Sequence, residues 1–269
     1  MNAAAKVMLP FWLLAAAGTI LPAQRPQSVF LEDYTWPELR DAIAAGASTV
    51  LVYSGSVEES GPHLVLGKHN LRARAYAERV ARALDHTLVA PIIPAAPTGA
   101  ELMRFPGTLD VRPDVFAAYI ADIVRSLARA GFKTVFLLGD HAGDQAPLRA
   151  LAPRLDAELA PRRTRVYFVG DGFAKAATEI YGLAASRHLR GPGHGGLDDT
   201  SELWAVAPEG VRPGLFAAGD TSGSEALDAR GVSGDPRAAT PDLGREFSEI
   251  RVRNAVAQIH ALLDSARSR

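Results

Sequence analysis

The chain reads as an α/β protein built on a mainly parallel sheet, and three observations predict it. Unbroken apolar, β-branched runs such as Val50-Leu51-Val52 alternate with amphipathic helical patterns. Glycine-rich polar clusters follow those runs, at Gly55 to Asn70, Gly139 to Asp144 and Gly170 to Gly172. In an open α/β sheet the carboxyl ends of the strands share one edge, so residues far apart in sequence converge there. Finally, 269 residues with 48% hydrophobic content bury a large core, as one sizeable α/β domain or two small ones.

Taken in order, Thr35 to Ala45 is a short helix, with Thr35 as N-cap, Pro37 in its first turn, and Leu39, Ile43 and Ala44 apolar. Ser48 to Tyr53 is a buried strand. Asn70 to Leu84 is an amphipathic helix, and Thr87 to Ala95 a second strand. Pro97 to Val111 is a loop, and Arg112 to Ala130 a long helix that Gly131 stops. Lys133 to Leu138 is a third strand, Gln145 to Leu159 a helix, and Arg165 to Val169 a fourth strand. A helix from Thr200 to Val206 follows the cluster Gly191 to Ser201, and Glu246 to Ala266 is a terminal helix with Val252, Val256, Ile259 and Leu263 on its buried stripe.

The net charge is -1, with both signs mixed along the chain, so no nucleic-acid footprint is present and the expected partner is a small molecule or peptide. Residues 1–23 read as an export signal: Lys6 precedes the apolar run Val7 to Ala17, and the segment closes on Ala15-Ala16-Ala17 or Leu21-Pro22-Ala23. A retained N-terminal anchor is the alternative. The chain has no cysteine, which fits export without disulfides. Residues 24–269 form the expected domain. A serine hydrolase is disfavoured, because no Gly-x-Ser-x-Gly occurs, and no P-loop is present.

Four of the seven histidines, His63, His69, His141 and His194, fall inside or beside the glycine-rich clusters. One loop histidine is ordinarily a solvated or hydrogen-bonded side chain; four at one sheet edge point to a site. Carboxylate and imidazole together suit a divalent metal ion with one position open to water. Glu58, His69 and His141 are three candidate ligands and Asp199 a fourth, although Asp199 also stands where an N-cap for a helix at Thr200 belongs.

These strings, in this order, resemble the creatininase (creatinine amidohydrolase) family. The resemblance rests on Thr35-Trp36-Pro37-Glu38-Leu39, on Gly55-Ser56-x-Glu58 through Gly61-Pro62-His63-Leu64, and on Phe105-Pro106-Gly107-Thr108. Gly139-Asp140-His141-x-Gly143 and His194-Gly195-Gly196 with Thr200-Ser201 complete it. It implies a single three-layer α/β/α domain, metal-dependent hydrolysis of non-peptide amide C–N bonds including cyclic ones, one branch acting on a peptide, and assembly as a homo-oligomer, often a hexamer. It puts metal ligands at Glu58 and His141 and the later acidic position at Asp199. Two positions depart from the family pattern: Ser60 stands where a histidine ligand is usual, and His69 where a bridging aspartate is usual. An imidazole offers one lone pair to one metal, so the resemblance here implies one ion per subunit, zinc first, with manganese, iron or cobalt also suited.

On this reading His194 transfers the proton to the leaving nitrogen, with Glu59 as the second candidate, and His63, Ser60 and Arg104 contact the substrate. Gly61, Gly143, Gly195 and Gly196 bring backbone N–H groups to the developing oxyanion. The expected substrate is a small amide, a lactam or a short peptide. The rival expectation is an exported binding or scaffold protein that keeps the fold without activity.

Overall fold

The computed structural model describes residues 28–217 and 227–267, so the expected export segment lies outside the described residues. Four strands, β1 (Thr49–Ser54), β2 (Thr87–Val89), β3 (Thr134–Gly139) and β4 (Arg165–Phe168), form one parallel sheet in the order β2-β1-β3-β4. Successive side chains of a strand face opposite ways, and here both faces are apolar. Val50, Val52, Val135 and Leu137 pack in one cluster with Phe116, Ile120 and Val124 of α3 (Pro113–Ala130) and Leu148, Leu151 and Leu155 of α4 (Ala142–Leu159). Leu51, Tyr53, Phe136 and Leu138 pack in the other with Tyr76 and Val80 of α2 (Lys68–Ala83) and Val252 and Ile259 of α7 (Pro241–Arg267). The result is the three-layer α/β/α domain. No helix of the described residues is long and apolar enough to cross a membrane.

Local chemistry sets most element ends where the sequence puts them. In α1 (Trp36–Ala44) the Glu38 carboxylate accepts from the Thr35 N–H at 2.8 Å, closing one half of a capping box. Gly131 ends α3 in the left-handed region at φ 117°.

Five expectations are corrected. The second strand stops at Val89 instead of Ala95, because Pro91 has no N–H for a ladder; beyond it only Ile93 bridges to Ser54. His69 is not in a loop, since α2 begins at Lys68 and carries it in the first turn. Gly170 to Gly172 is not a polar strand-end loop but the first turn of a helix missed in the sequence, α5 (Gly170–Ser186). Gly172 serves close packing there, since a Cβ would stand 2.8 Å from the Asn254 carbonyl oxygen of α7. Finally α6 (Leu197–Val206) starts three residues before Thr200 with Gly196 as its N-cap, and α7 starts at Pro241 with Thr240 Oγ1 accepting from the Leu243 N–H at 3.2 Å.

α7 also packs against α6, and Gly244 is the point of closest approach, where an added Cβ would stand inside the van der Waals shell of the Ser201 carbonyl oxygen. Helix propensity alone favours alanine over glycine by about 1 kcal/mol. Overpacking outweighs that: Gly244→Ala is expected to destabilise the fold by about 2 kcal/mol, read as a lowered urea midpoint. A midpoint unchanged or raised would contradict the close approach.

Candidate metal centre

The site follows from strand order. β2 lies on one side of β1 and β3 on the other, so the connections leaving β1 and β3 diverge and open a crevice at their carboxyl ends. The chain leaving β1 runs against the start of α2, where a Cβ on Gly55 would come within 2.9 Å of the Asn70 backbone. That approach sets Glu58, 1% exposed, beside His69. From β3 the chain passes Asp140 and turns into α4 at His141, whose Nδ1 accepts from the Gly143 N–H at 3.2 Å.

Glu58, His69 and His141 each bring a donor atom within 4.8 Å of the others, and all three are buried. Glu58 Oε1 lies 2.8 Å from His69 Nε2, and Oε2 lies 2.7 Å from His141 Nε2. The second approach lacks hydrogen-bond alignment, which leaves Glu58 Oε2 a buried oxygen with no donor. On the far side of His69, Nδ1 lies 2.7 Å from Asp140 Oδ2. A carboxylate there only accepts, so Nδ1 carries the proton and a neutral His69 turns its Nε2 lone pair on Glu58. Two lone pairs at that distance require a cation between them, either a proton or a metal ion. An imidazole whose other nitrogen is held by a carboxylate is also how metal-binding histidines are commonly oriented.

Around this trio the buried charges are paired in a chain. Arg72, 2% exposed, reaches Asp140 at 3.0 Å, Asp199 at 2.7 Å and Glu202 at 3.1 Å. Lys68 Nζ lies against Asp199 and 3.9 Å from Glu58 Oε1. Arg251 closes the chain on Glu202 at 2.5 Å. Burial would push the Glu58 carboxyl up, but His69, His141 and Lys68 hold it well below the usual carboxylate range. Asp140 is likewise burdened by burial and brought down by Arg72 and His69, and Asp199 by Lys68 and Arg72. Asp198, without such a cation, is pushed up to about 6 by burial and by the adjacent Asp199 charge.

The trio opens on a cavity of about 300 Å³. His194 lines it with the trio, and Phe173, Tyr181 and Arg251 from α5 and α7 form an opposite wall. The His194 Nε2–H donates to the Glu59 backbone carbonyl at 2.9 Å, which leaves Nδ1 as the nitrogen with a lone pair, 3.9 Å from Glu58 Oε1.

Other expected site residues stand outside the trio, although Asp199 lines the same cavity. Asp199 does not join the trio: Lys68 and Arg72 take its two oxygens, and the Gly195 N–H also donates to it at 3.0 Å. It is no N-cap either, since α6 has already begun. Glu59 turns away from the cavity, accepting from the Gly61 N–H at 3.0 Å and standing 3.3 Å from His194 Nε2, so it holds His194 rather than facing a substrate. Ser60 is buried and donates to the Glu59 carbonyl at 2.7 Å. His63 pairs with Thr200 Oγ1 at 2.9 Å, and Arg104 is exposed and donates to the Asp228 carbonyl at 3.0 Å; neither lines the cavity. The N–H groups of Gly61, Gly143, Gly195 and Gly196 are all taken inside the protein, so none is free for an oxyanion. Gly191, Gly193 and Gly196 have the Gly-x-Gly-x-x-Gly spacing, but they follow α5 and not a strand, so they are not a dinucleotide-binding turn.

Lys68, Arg72, Asp140 and Arg251 are the site residues that the sequence reading passed over. Asp140 and Lys68 directly precede proposed ligands and Arg72 follows Lys68 by one helical turn, a spacing that places both on one face. Arg251 carries no local signal.

A sequence profile of the family described as creatininase, creatinine amidohydrolase, matches residues 32–259. The mycofactocin precursor peptide peptidase of Mycobacterium ulcerans is 26% identical over 267 residues, covering 92% of this chain and 91% of that protein. The creatinine amidohydrolase of Pseudomonas putida is 28% identical over 122 residues, covering 43% of this chain and 45% of that one. Among solved structures, a manganese creatininase superposes with a TM-score of 0.73 at 21% identity, covering 87% of this chain and 98% of its own.

His63 gives the site's surroundings a pH dependence. Burial lowers its imidazole from 6.5 to about 4. As pH falls the unfolded chain therefore takes the proton first, so the stabilisation is complete above about 6.5 and is lost on the way down to about 4. Urea midpoints of wild type and His63→Gln, followed across that window, are expected to converge as the pH falls. A constant difference would contradict the burial of His63.

Proposed function

The chain belongs to the creatininase family, and from its site we propose that it is a single-metal amidohydrolase, with Glu58, His69 and His141 holding one divalent ion at the floor of the cavity. The observation that carries this reading is the buried Glu58 carboxylate between two imidazoles, its Oε2 without a donor. One carboxylate and two imidazoles with an open side match the ligand set of hydrolytic zinc sites. Zinc is the first expectation and manganese the second, the latter being the metal named for a structural neighbour. When bound, such an ion supplies an electrophile and lowers the pKa of water to about 7.

The chain's own residues supply the rest. Asp140 keeps the His69 proton on Nδ1, so that Nε2 stays a donor. His141 would hold the ion through Nε2 with its own proton on Nδ1, the nitrogen on which the Gly143 N–H donates at 3.2 Å in this structure. His194, fixed by its bond to the Glu59 carbonyl, accepts a proton at Nδ1 from water entering beside Glu58 and returns it to the leaving nitrogen. Phe173 and Tyr181 give the cavity an aromatic lining for the substrate. The proposed substrate is a small, non-peptide amide, including cyclic ones, with a short peptide as the alternative that the peptidase relative supports. We also propose export through residues 1–23, a single catalytic domain from residue 24 onward, and assembly as a homo-oligomer.

Two measurements test this reading. Gently purified wild type is expected to carry about one ion per chain by mass spectrometry of the metal content, with Glu58→Ala and His141→Ala losing it while keeping a cooperative melt. A metal-free wild type would overturn the enzyme reading and favour a binding protein on the same fold. For export, the mature N-terminus is expected at residue 18 or 24, and an intact N-terminus on protein from outside the cytoplasm would overturn cleavage.

A further inference from the structure

Lys68 is among the largest fully buried side chains of the described residues, 1% exposed, and it points its charge into the proposed metal centre. Burying an ammonium costs several kcal/mol unless acids surround it closely. Its acids here are Asp199, in direct contact, and Glu58, whose Oε1 is 3.9 Å away. The two oxygens of Glu58 therefore look in different directions. Oε2 faces His141 and has no donor, whereas Oε1 faces His69, Lys68 and His194 Nδ1, the last also at 3.9 Å. Oε1 of Glu58 and Oδ2 of Asp199 thus form a second pair of donors on the ammonium.

We propose that the Lys68 ammonium is a built-in cation that fills a second metal position between Glu58 and Asp199, so that the centre takes one divalent ion and excludes another. The proposal rests on the single-metal reading above and adds the residue that sets the ion count. Charge balance supports it independently of the donor geometry. With Arg251 and Glu202 paired to each other, the carboxylates that line the cavity, Glu58, Asp140, Asp198 and Asp199, have Lys68 and Arg72 as the other fixed cations lining it. The remainder is about two negative charges, which one divalent ion neutralises and two would overshoot. Removing Lys68 deepens the deficit by one charge and vacates space between two carboxylate oxygens, donors that both zinc and manganese accept. Arg72 does not serve the same purpose, because its guanidinium is spread over Asp140, Asp199 and Glu202 and reaches no oxygen of Glu58.

The test strips wild type, Lys68→Ala and Lys68→Arg of metal, reconstitutes each with zinc alone, removes excess and counts bound zinc. Wild type and Lys68→Arg are expected to hold about one ion per chain and Lys68→Ala about two, a twofold change that a merely structural lysine would not produce. One ion in Lys68→Ala, or two in wild type, overturns the proposal while leaving a metal centre in place. No ion in wild type overturns the single-metal reading itself, and this proposal with it. Should Lys68→Ala melt early when stripped, zinc is expected to raise its Tm further than it raises that of wild type, and an equal or smaller gain overturns the proposal.

Discussion

A carboxylate buried at the end of β1 needs cations around it, and that requirement organises this molecule's functional edge. Glu58 is 1% exposed and sits where the sheet diverges, so water cannot solvate it. Histidine, lysine and, on our proposal, a metal ion take water's place. Each of those groups is held in turn: His69 by Asp140, Asp140 by Arg72, Lys68 by Asp199. The chain of alternating charge crosses from α2 to the ends of β1 and β3 and on to α6. It ties the second half of the domain to the first, because Arg72 of α2 reaches Asp199 and Glu202 of α6. Truncating one member strands its partners in a medium where an unpaired charge costs about 3–5 kcal/mol.

The sheet was legible in the sequence because a parallel strand buried on both faces leaves an unbroken apolar run, as in Val50-Leu51-Val52 and Val135-Phe136-Leu137-Leu138. Helix limits set by local chemistry were legible too, as at Thr35, Pro113 and Gly131. Two of the misreadings have a common cause in glycine. Gly170 and Gly172 look like a turn, yet Gly172 is small because α7 lies against it. Gly195 and Gly196 look like oxyanion donors, yet they cap α6 and its Asp199. From sequence a glycine that makes room cannot be told from a glycine that makes a turn.

The site was half legible for a similar reason. Glu58, His69 and His141 are chemically conspicuous, and all three come together in the cavity floor. Asp199 is equally conspicuous, but which of its neighbours would use its oxygens depends on Lys68 and Arg72 being buried, and long basic side chains ordinarily signal a solvated face. Here one face of the first two turns of α2, carrying Lys68, His69 and Arg72, is buried, so residues that look solvated are the counter-charges of the site. His63 and Ser60, close to Glu58 in sequence, bond instead to Thr200 and to the Glu59 carbonyl and do not line the cavity. Proximity in the motif did not mean proximity to the cavity.

The position of the ion is the central claim, and anomalous diffraction at the zinc edge from crystals of the zinc-reconstituted protein reads it directly. The account predicts a single peak about 2 Å from donor atoms of Glu58, His69 and His141, with the Lys68 side chain still between Glu58 and Asp199. A peak held instead by Asp198 and Asp199, or no peak beside Glu58, would contradict it.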